Sequence, residues 1–402
     1  QPYPGVALYV RDLREGRVER ANVASDGSPM RSFNSDSAIS RNGRYVAFAS
    51  DDNRPVDGHT PLGGNNIFVR DRWTGRTELI TVGDGTPREQ SRFSSNVPSI
   101  SDDGRYVAYV STRTDLVPQP ATPSLSKLPP GTMNIYVTDR WTHTTRLVSV
   151  GADGSPADSY STNPKISADG RTVGFSSFAG NLLPTGNTAP KAPAGPSLSV
   201  PRFAPYFTYD LRTGTASVAA TDLSGAPASV GFDATISPDG RLAAYDLPAA
   251  DANNGNGNHR DLYVRDLRKG TVTQVSNPAS GTTTTGNSGH PSITANDRWV
   301  YFDSGADNLV PGSSSERNDV YRYDLRTGRT ERVATTPDGA QGNGSSDGPF
   351  VDARGRTVLF NSTSGNLLAG TNDPRGTDVH VFARTAEPRG GEDDQDDRGQ
   401  DD

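Results

Sequence analysis

The chain has no cysteine, two methionines and, among 40 basic residues, only four lysines: Lys127, Lys165, Lys191 and Lys269. Without thiols there can be no disulfide, no thiolate metal site and no cysteine nucleophile. The fold must be held by its core and by closure of its own sheets. Hydrophobic residues make up only 32% of the sequence, a low share for a globular chain. No apolar run approaches the ~18 residues that a membrane-spanning helix needs, and no long stretch shows the 3.6-residue apolar spacing of a helical protein. His-Glu-x-x-His and Gly-x-Ser-x-Gly are both missing, and the histidines His59, His143, His259, His290 and His380 are scattered. Net charge is -7, but residues 385–402 alone carry eight acids and two arginines. The remaining chain holds 38 basic and 39 acidic residues, a balance that leaves no footprint for nucleic acid or anionic lipid.

What is present is turn chemistry, with 43 glycines and 30 prolines, and an internal repeat. One phrase occurs six times: ISRNGRYVAF from Ile39, ISDDGRYVAY from Ile100, ISADGRTVGF from Ile166, ISPDGRLAAY from Ile236, ITANDRWVYF from Ile293 and VDARGRTVLF from Val351. A second phrase follows, as in IFVRDRWTGRTELITV from Ile67 and LYVRDLRKGTVTQV from Leu262. Asp-Gly and Thr-Gly between apolar runs signal hairpins. Each repeat therefore reads as four antiparallel strands, A to D. The A-B pairs fall near 39–50, 100–111, 166–177, 236–247, 293–304 and 351–362. Apolar residues on both faces of strand B fit sheets stacked face to face. The expected fold is all-β: a six-bladed β-propeller of four-stranded antiparallel blades over 1–384, followed by a disordered acidic tail, 385–402. The N-terminal strands are expected to close the ring. Either Val18 to Val23 is the outer strand of the last blade, or the N-terminal hairpin supplies both missing strands. The last copy, at 378–384, has Ala383 where the others have Asp.

The recurring ISxDGRxVAF…YVxDxxTG resembles the TolB-like, WD-repeat-like propeller family over about residues 6–384. The resemblance implies a secreted or periplasmic interaction scaffold. The Arg, Ala, Gly and Pro bias points to a high-GC, actinobacterial type of genome. The chain begins at Gln1 without Met, as a mature form would after signal-peptide removal, so a secreted location is expected.

Candidate groups follow from the strand order. A-B and C-D turns share one face, which predicts pairs Arg44 with Asp71, Arg105 with Asp139, Arg171 with Asp210, Arg241 with Asp266 and Arg298 with Asp324, each a structural pair that also caps its turn. The D-A loops at the opposite face carry Phe33, Phe93, Tyr160 and Phe232, with His290 at the matching point of the fifth repeat and Asn96, Asn163 and Asp233 beside them. Aromatics next to amides and carboxylates suit a sugar or an extended peptide. Two B-C insertions, 112–133 and 177–204, are rich in proline and suit partner docking. Asp251, Asn253 and Asp261 partly imitate a calcium loop but lack the closing Glu, where Leu262 stands. No cofactor is expected. The reading is a non-enzymatic module that binds a protein or a cell-envelope component within a larger assembly. The alternatives are a lectin-like propeller, or a glycan-acting hydrolase or lyase built on carboxylates such as Asp36, Asp233 and Asp347.

Overall fold

The computed structural model describes residues 6–32, 36–56, 58–61, 63–83, 94–117, 131–183, 204–231, 233–249, 259–279, 284–313, 317–368 and, by backbone alone, 380–385. An N-terminal hairpin, β1 (Tyr9–Arg11) and β2 (Val18–Arg20), precedes six sheets. The first holds β3 (Ser37–Ile39), β4 (Tyr45–Ser50), β5 (Asn66–Asp71) and β6 (Arg76–Leu79); the second β7 (Ser95–Ile100), β8 (Tyr106–Ser111), β9 (Asn134–Asp139) and β10 (Thr144–Leu147). The third holds β11 (Ser161–Ile166), β12 (Thr172–Ser177), β13 (Ala204–Asp210) and β14 (Thr215–Val218), with the short β15 (Ser229–Val230) on β13. The fourth holds β16 (Thr235–Ile236), β17 (Leu242–Pro248), β18 (Arg260–Asp266) and β19 (Val272–Gln274); the fifth β20 (Ser288–Ile293), β21 (Trp299–Ser304), β22 (Asp319–Asp324) and β23 (Arg329–Arg332). The sixth has β24 (Ser346–Val351), β25 (Thr357–Ser362) and β26 (His380–Thr385). All pairings are antiparallel and run A-B-C-D outward from a central channel.

Side-chain chemistry explains why each copy of the repeat folds alike. In the phrase ISxDGR the Ser40, Ser101, Ser167 and Ser237 hydroxyls accept the amide five residues on, at 2.9 Å, and donate to the Asn or Asp two residues on. That Asn or Asp then accepts the following arginine's amide, and the glycine between them adopts the positive φ that closes the turn. In the second, third, fifth and sixth sheets strand B ends in a buried serine whose hydroxyl meets the first serine of strand A, at 2.8 Å for Ser95 and Ser111 and 2.9 Å for Ser161 and Ser177. Its oxygen also accepts the amide two residues on, turning the chain into the B-C loop.

Burial is concentrated in strands B and C, which are apolar on both faces. Cross-strand rings stack at Phe48–Phe68 (5.7 Å), Tyr109–Tyr136 (6.0 Å), Phe175–Phe207 (5.8 Å) and Phe302–Tyr321 (5.8 Å), each worth ~0.5–1.5 kcal/mol beyond its burial. Clusters run from one sheet into the next, as Ala47 and Val69 with Val107 and Tyr109. Leu116, Leu182, Leu309 and Leu367 plug the space under the B-C loops. The fully buried Arg113, paired with Asp115 of its own loop at 2.7 Å, fastens the second sheet to the first by donating to the Thr81 carbonyl at 2.7 Å.

Three expectations change. β2 pairs with β1, and neither pairs with the sixth sheet among the described residues. The hairpin instead packs on the first sheet through Leu8 and Ala24, with Thr77 donating to the Val23 carbonyl at 2.6 Å. The register of the last sheet sets Thr385, not Ala383, opposite Thr357, where other copies set Asp opposite the start of strand B. Of the five arginine–aspartate pairs, three form: Arg44–Asp71 (2.7 Å), Arg105–Asp139 (2.7 Å) and Arg298–Asp324 (3.2 Å). Arg171 pairs with Asp169 at 3.5 Å, and Arg241 reaches across to Asp297 of the next sheet at 2.9 Å. Burial and the neighbouring Asp239 push the Asp297 carboxyl up to about 6. Aromatic cover separates the two groups. Arg44 lies between Tyr45 and Trp73, both at 4.8 Å, Arg105 between Tyr106 and Trp141, and Arg298 over Trp299. Thr172 and Leu242 offer no such ring beside Arg171 and Arg241. Asp71 and Asp139 also accept turn amides, so the pairs cap their turns. Arg44→Ala and Arg105→Ala should each lower the melting temperature and Arg171→Ala should leave it unchanged; an equal drop for all three in a thermal-shift series contradicts this.

Candidate functional site

The inner strands of all six sheets, together with β1, line a channel of about 740 Å³. Its mouth on the D-A side is shaped by a bulge in strand A. Register slips between Asn96 and Ser99, Thr162 and Lys165, Gly289 and Ser292, and Asp347 and Phe350. The bulged residue is Val97 (φ 51°), Asn163 (52°), His290 (48°) or Gly348 (58°), followed each time by proline, which cannot donate to the ladder. A bulge re-aims a side chain, and Asn163 and His290 line the channel with Asp233. The bulge amides are satisfied from the preceding sheet: Val97 donates to Asp36 at 3.2 Å and Gly348 to Asp303 at 2.8 Å.

His290 is the centre of the charged group. Its Nδ1 lies 2.8 Å from Asp303 and its Nε2 3.4 Å from Asp233. Asp303 is buried; the imidazole and Asp233 are half-exposed to the channel. The hydrogen bond to Asp303, with the charges of Asp303, Asp233 and Asp347, raises the imidazole to about 9, so it is a cation at neutral pH. Burial raises the Asp233 carboxyl, against the pull of His290. Lys165 also lines the channel. Burial lowers its ammonium, with Asp233 and Asp36 opposing, and it has no hydrogen-bond or ion-pair partner among the described residues. The polar character belongs to one side: at the fifth position of strand B, sheets one and two have Ala49 and Val110, whereas sheets four to six have Asp246, Asp303 and Asn361. The arrangement can grip a polar ligand with a cation pair flanked by carboxylates, or move a proton between imidazolium, amine and substrate.

The other sequence candidates are dispersed. Phe33, Phe93 and Phe232 lie outside the described residues, as do Asp251 and Asn253 and most of both proline-rich insertions. Tyr160 and Asn96 are not among the channel-lining residues. Tyr160 accepts the Phe178 amide through its carbonyl, and Asn96 accepts from Asn65 at 2.7 Å, tying two sheets together. Asp261 is buried and accepts the Ser276 and Thr284 hydroxyls, a structural role. Among the described residues no group of three His, Cys, Asp or Glu could hold a metal ion. Sequence reading missed Lys165 and Asp303; a carboxylate interrupting an otherwise apolar strand B was the available signal for the second.

The sheets resemble the β-propeller domain of the Trilobed protease from Pyrococcus furiosus, at 11% identity and TM-score 0.50, covering 88% of this chain and 81% of that one. The chain is a β-propeller. Oligogalacturonate lyase from Vibrio parahaemolyticus shares the fold at 13% identity and TM-score 0.50, covering 93% and 82%. TolB proteins also stand among the structural neighbours. TolB from Acinetobacter baumannii is 16% identical at TM-score 0.40, with 82% of this propeller matched to 60% of that chain. No protein-family model and no curated protein sequence matches it.

Because the His290 pKa is raised above its ordinary 6.5 to about 9, its contribution to stability is complete below the lower value and is lost as pH rises through the higher one. In Asp303→Asn, an NMR titration should show His290 falling back toward 6.5, and the loss of stability between neutral pH and pH 9 should flatten; an unchanged titration midpoint contradicts the assigned partner.

Proposed function

We propose that this propeller is a binding module, and that its ligand is a polar chain, a peptide or envelope glycan, entering the channel mouth beside Lys165, Asp233 and His290. The observation that carries the reading is Lys165: a largely buried ammonium on a residue that lines the cavity, unpartnered among the described residues, in a chain with only four lysines. An interior charge is costly without a partner, and an external ligand carrying a carboxylate or hydroxyls would supply one. In this reading the insertions 112–133 and 177–204 serve as docking arms to a larger assembly. The protein acts outside the cytoplasm, as the resemblance of its repeat to TolB-like propellers implies. A second reading, a glycan-acting lyase or hydrolase, is favoured by the His290–Asp303 hydrogen bond beside an amine of lowered pKa, and the neighbour from Vibrio bears the name of a lyase.

The test is capture of isolated cell-envelope material on the immobilised chain, with free glycan as competitor. Lys165→Ala and Asp233→Ala should each reduce capture by about tenfold, the effect of losing a central contact, while Trp73→Ala on the opposite face should not. Undiminished capture by Lys165→Ala would sink the reading. Turnover of the captured glycan that His290→Ala abolishes would move the enzymatic reading to first place.

A further inference from the structure

The hairpin β1–β2 carries the local features of a strand C–D pair that has lost its strand B. Residues 8–12 read LYVRD, identical to residues 262–266, which lie along the B strand β17 with Asp266 opposite Leu242 and Val264 opposite Ala244. Asp12 accepts the amides of Arg14 (2.8 Å) and Glu15 (3.0 Å), as Asp71 accepts those of Trp73 and Thr74. Glu19 pairs with Arg72 as Glu78 pairs with Arg140 one sheet further on. Val23 bridges Pro29 as Val150 bridges Pro156. The hairpin therefore stands toward the first sheet as β6 stands toward the second. Yet β1 has no strand on its inner side among the described residues, and Tyr9 and Val18 are 59% and 56% exposed.

The sixth sheet shows the complementary lack. It has a strand C, β26, but no strand D among the described residues. Its Arg356, the counterpart of Arg44, makes no side-chain ion pair among the described residues, and Thr385 stands where the other sheets set an aspartate. Asp12, an aspartate of a C–D turn without an opposite strand B, has no arginine ion pair among the described residues either.

We propose that residues 8–12 and residues 380–385 compete for the same edge of β25. Replacing β26 by the hairpin sets Asp12 opposite Thr357 and Val10 opposite Leu359, completes four strands, closes the ring through an Arg356–Asp12 pair and releases the C-terminal strand. Because Leu8, Tyr9, Val10 and Arg11 line the channel, the exchange also reshapes the cavity that Lys165 and His290 face.

The cysteine-free chain allows a direct test. A full-length variant with Val10→Cys, Leu359→Cys and Ala383→Cys gives Leu359 two alternative partners in matching cross-strand positions. Mild oxidation followed by peptide mapping should find both intramolecular disulfides in monomeric protein. Adding Arg356→Ala should cut the Val10–Leu359 share by up to about fivefold, the size of one exposed ion pair, and the charge exchange Asp12→Arg with Arg356→Asp should restore it. A Leu359–Ala383 disulfide alone, or Val10–Leu359 linkage between two chains, overturns the proposal. Should the triple variant fail to fold, limited trypsin cleavage of the otherwise unsubstituted chain decides. Cleavage within 380–385 should slow in Arg356→Ala, and an unchanged rate contradicts the exchange.

Discussion

A sheet that is apolar on both faces cannot face water on either, and this constraint governs the propeller. With 32% hydrophobic residues, the chain places them where they count most, in strands B and C, whose burial is nearly continuous. Such a sheet is stable only between two neighbours. Stacked Phe and Tyr rings fill four of the sheets from within, buried leucines close the space below the loops, and Arg113 and the Arg140–Glu78 pair fasten one sheet to the next. The same logic makes the ends of the repeat array its weak points: a first sheet covered by two short strands and a last sheet with three among the described residues.

Strand A is released from this constraint because it faces the channel. It can carry proline, a bulge and side chains with charge. The positive φ of His290 and Asn163 costs energy that the surrounding sheets must cover. What the strain delivers is direction: the imidazole is held between Asp303 and Asp233, in a channel that Lys165 also lines. Asp36 and Asp303 also satisfy bulge amides, so the acids of the mouth divide into structural acceptors and Asp233, whose one ion pair among the described residues is with the imidazole at 3.4 Å.

The sequence made the sheets legible because the repeat states its turn chemistry openly: Ser, Asp and Gly in ISxDGR each perform one hydrogen-bonding or conformational task. His290, Asn163 and Asp233 could be placed at the mouth from their position before strand A. Lys165 could not, since one lysine in an alternating strand reads as solvent-facing until the channel is known. The arginine pairs were legible only where an aromatic follows the arginine. Arg241 chose Asp297 across a sheet boundary, a contact that no spacing within one repeat encodes. Register at the end of the chain was illegible for a similar reason: residues 380–385 match the repeat too weakly to show that Thr385 rather than Ala383 takes the aspartate position.

The most direct test of the account is native-state amide hydrogen exchange on the intact chain and on a chain lacking residues 6–24. If double-faced burial between neighbours holds the propeller together, removing the hairpin should accelerate exchange most in β4 and β5, less in β8 and β9, and least in β12 and β13. Uniform acceleration through all sheets, or none in β4 and β5, would contradict it.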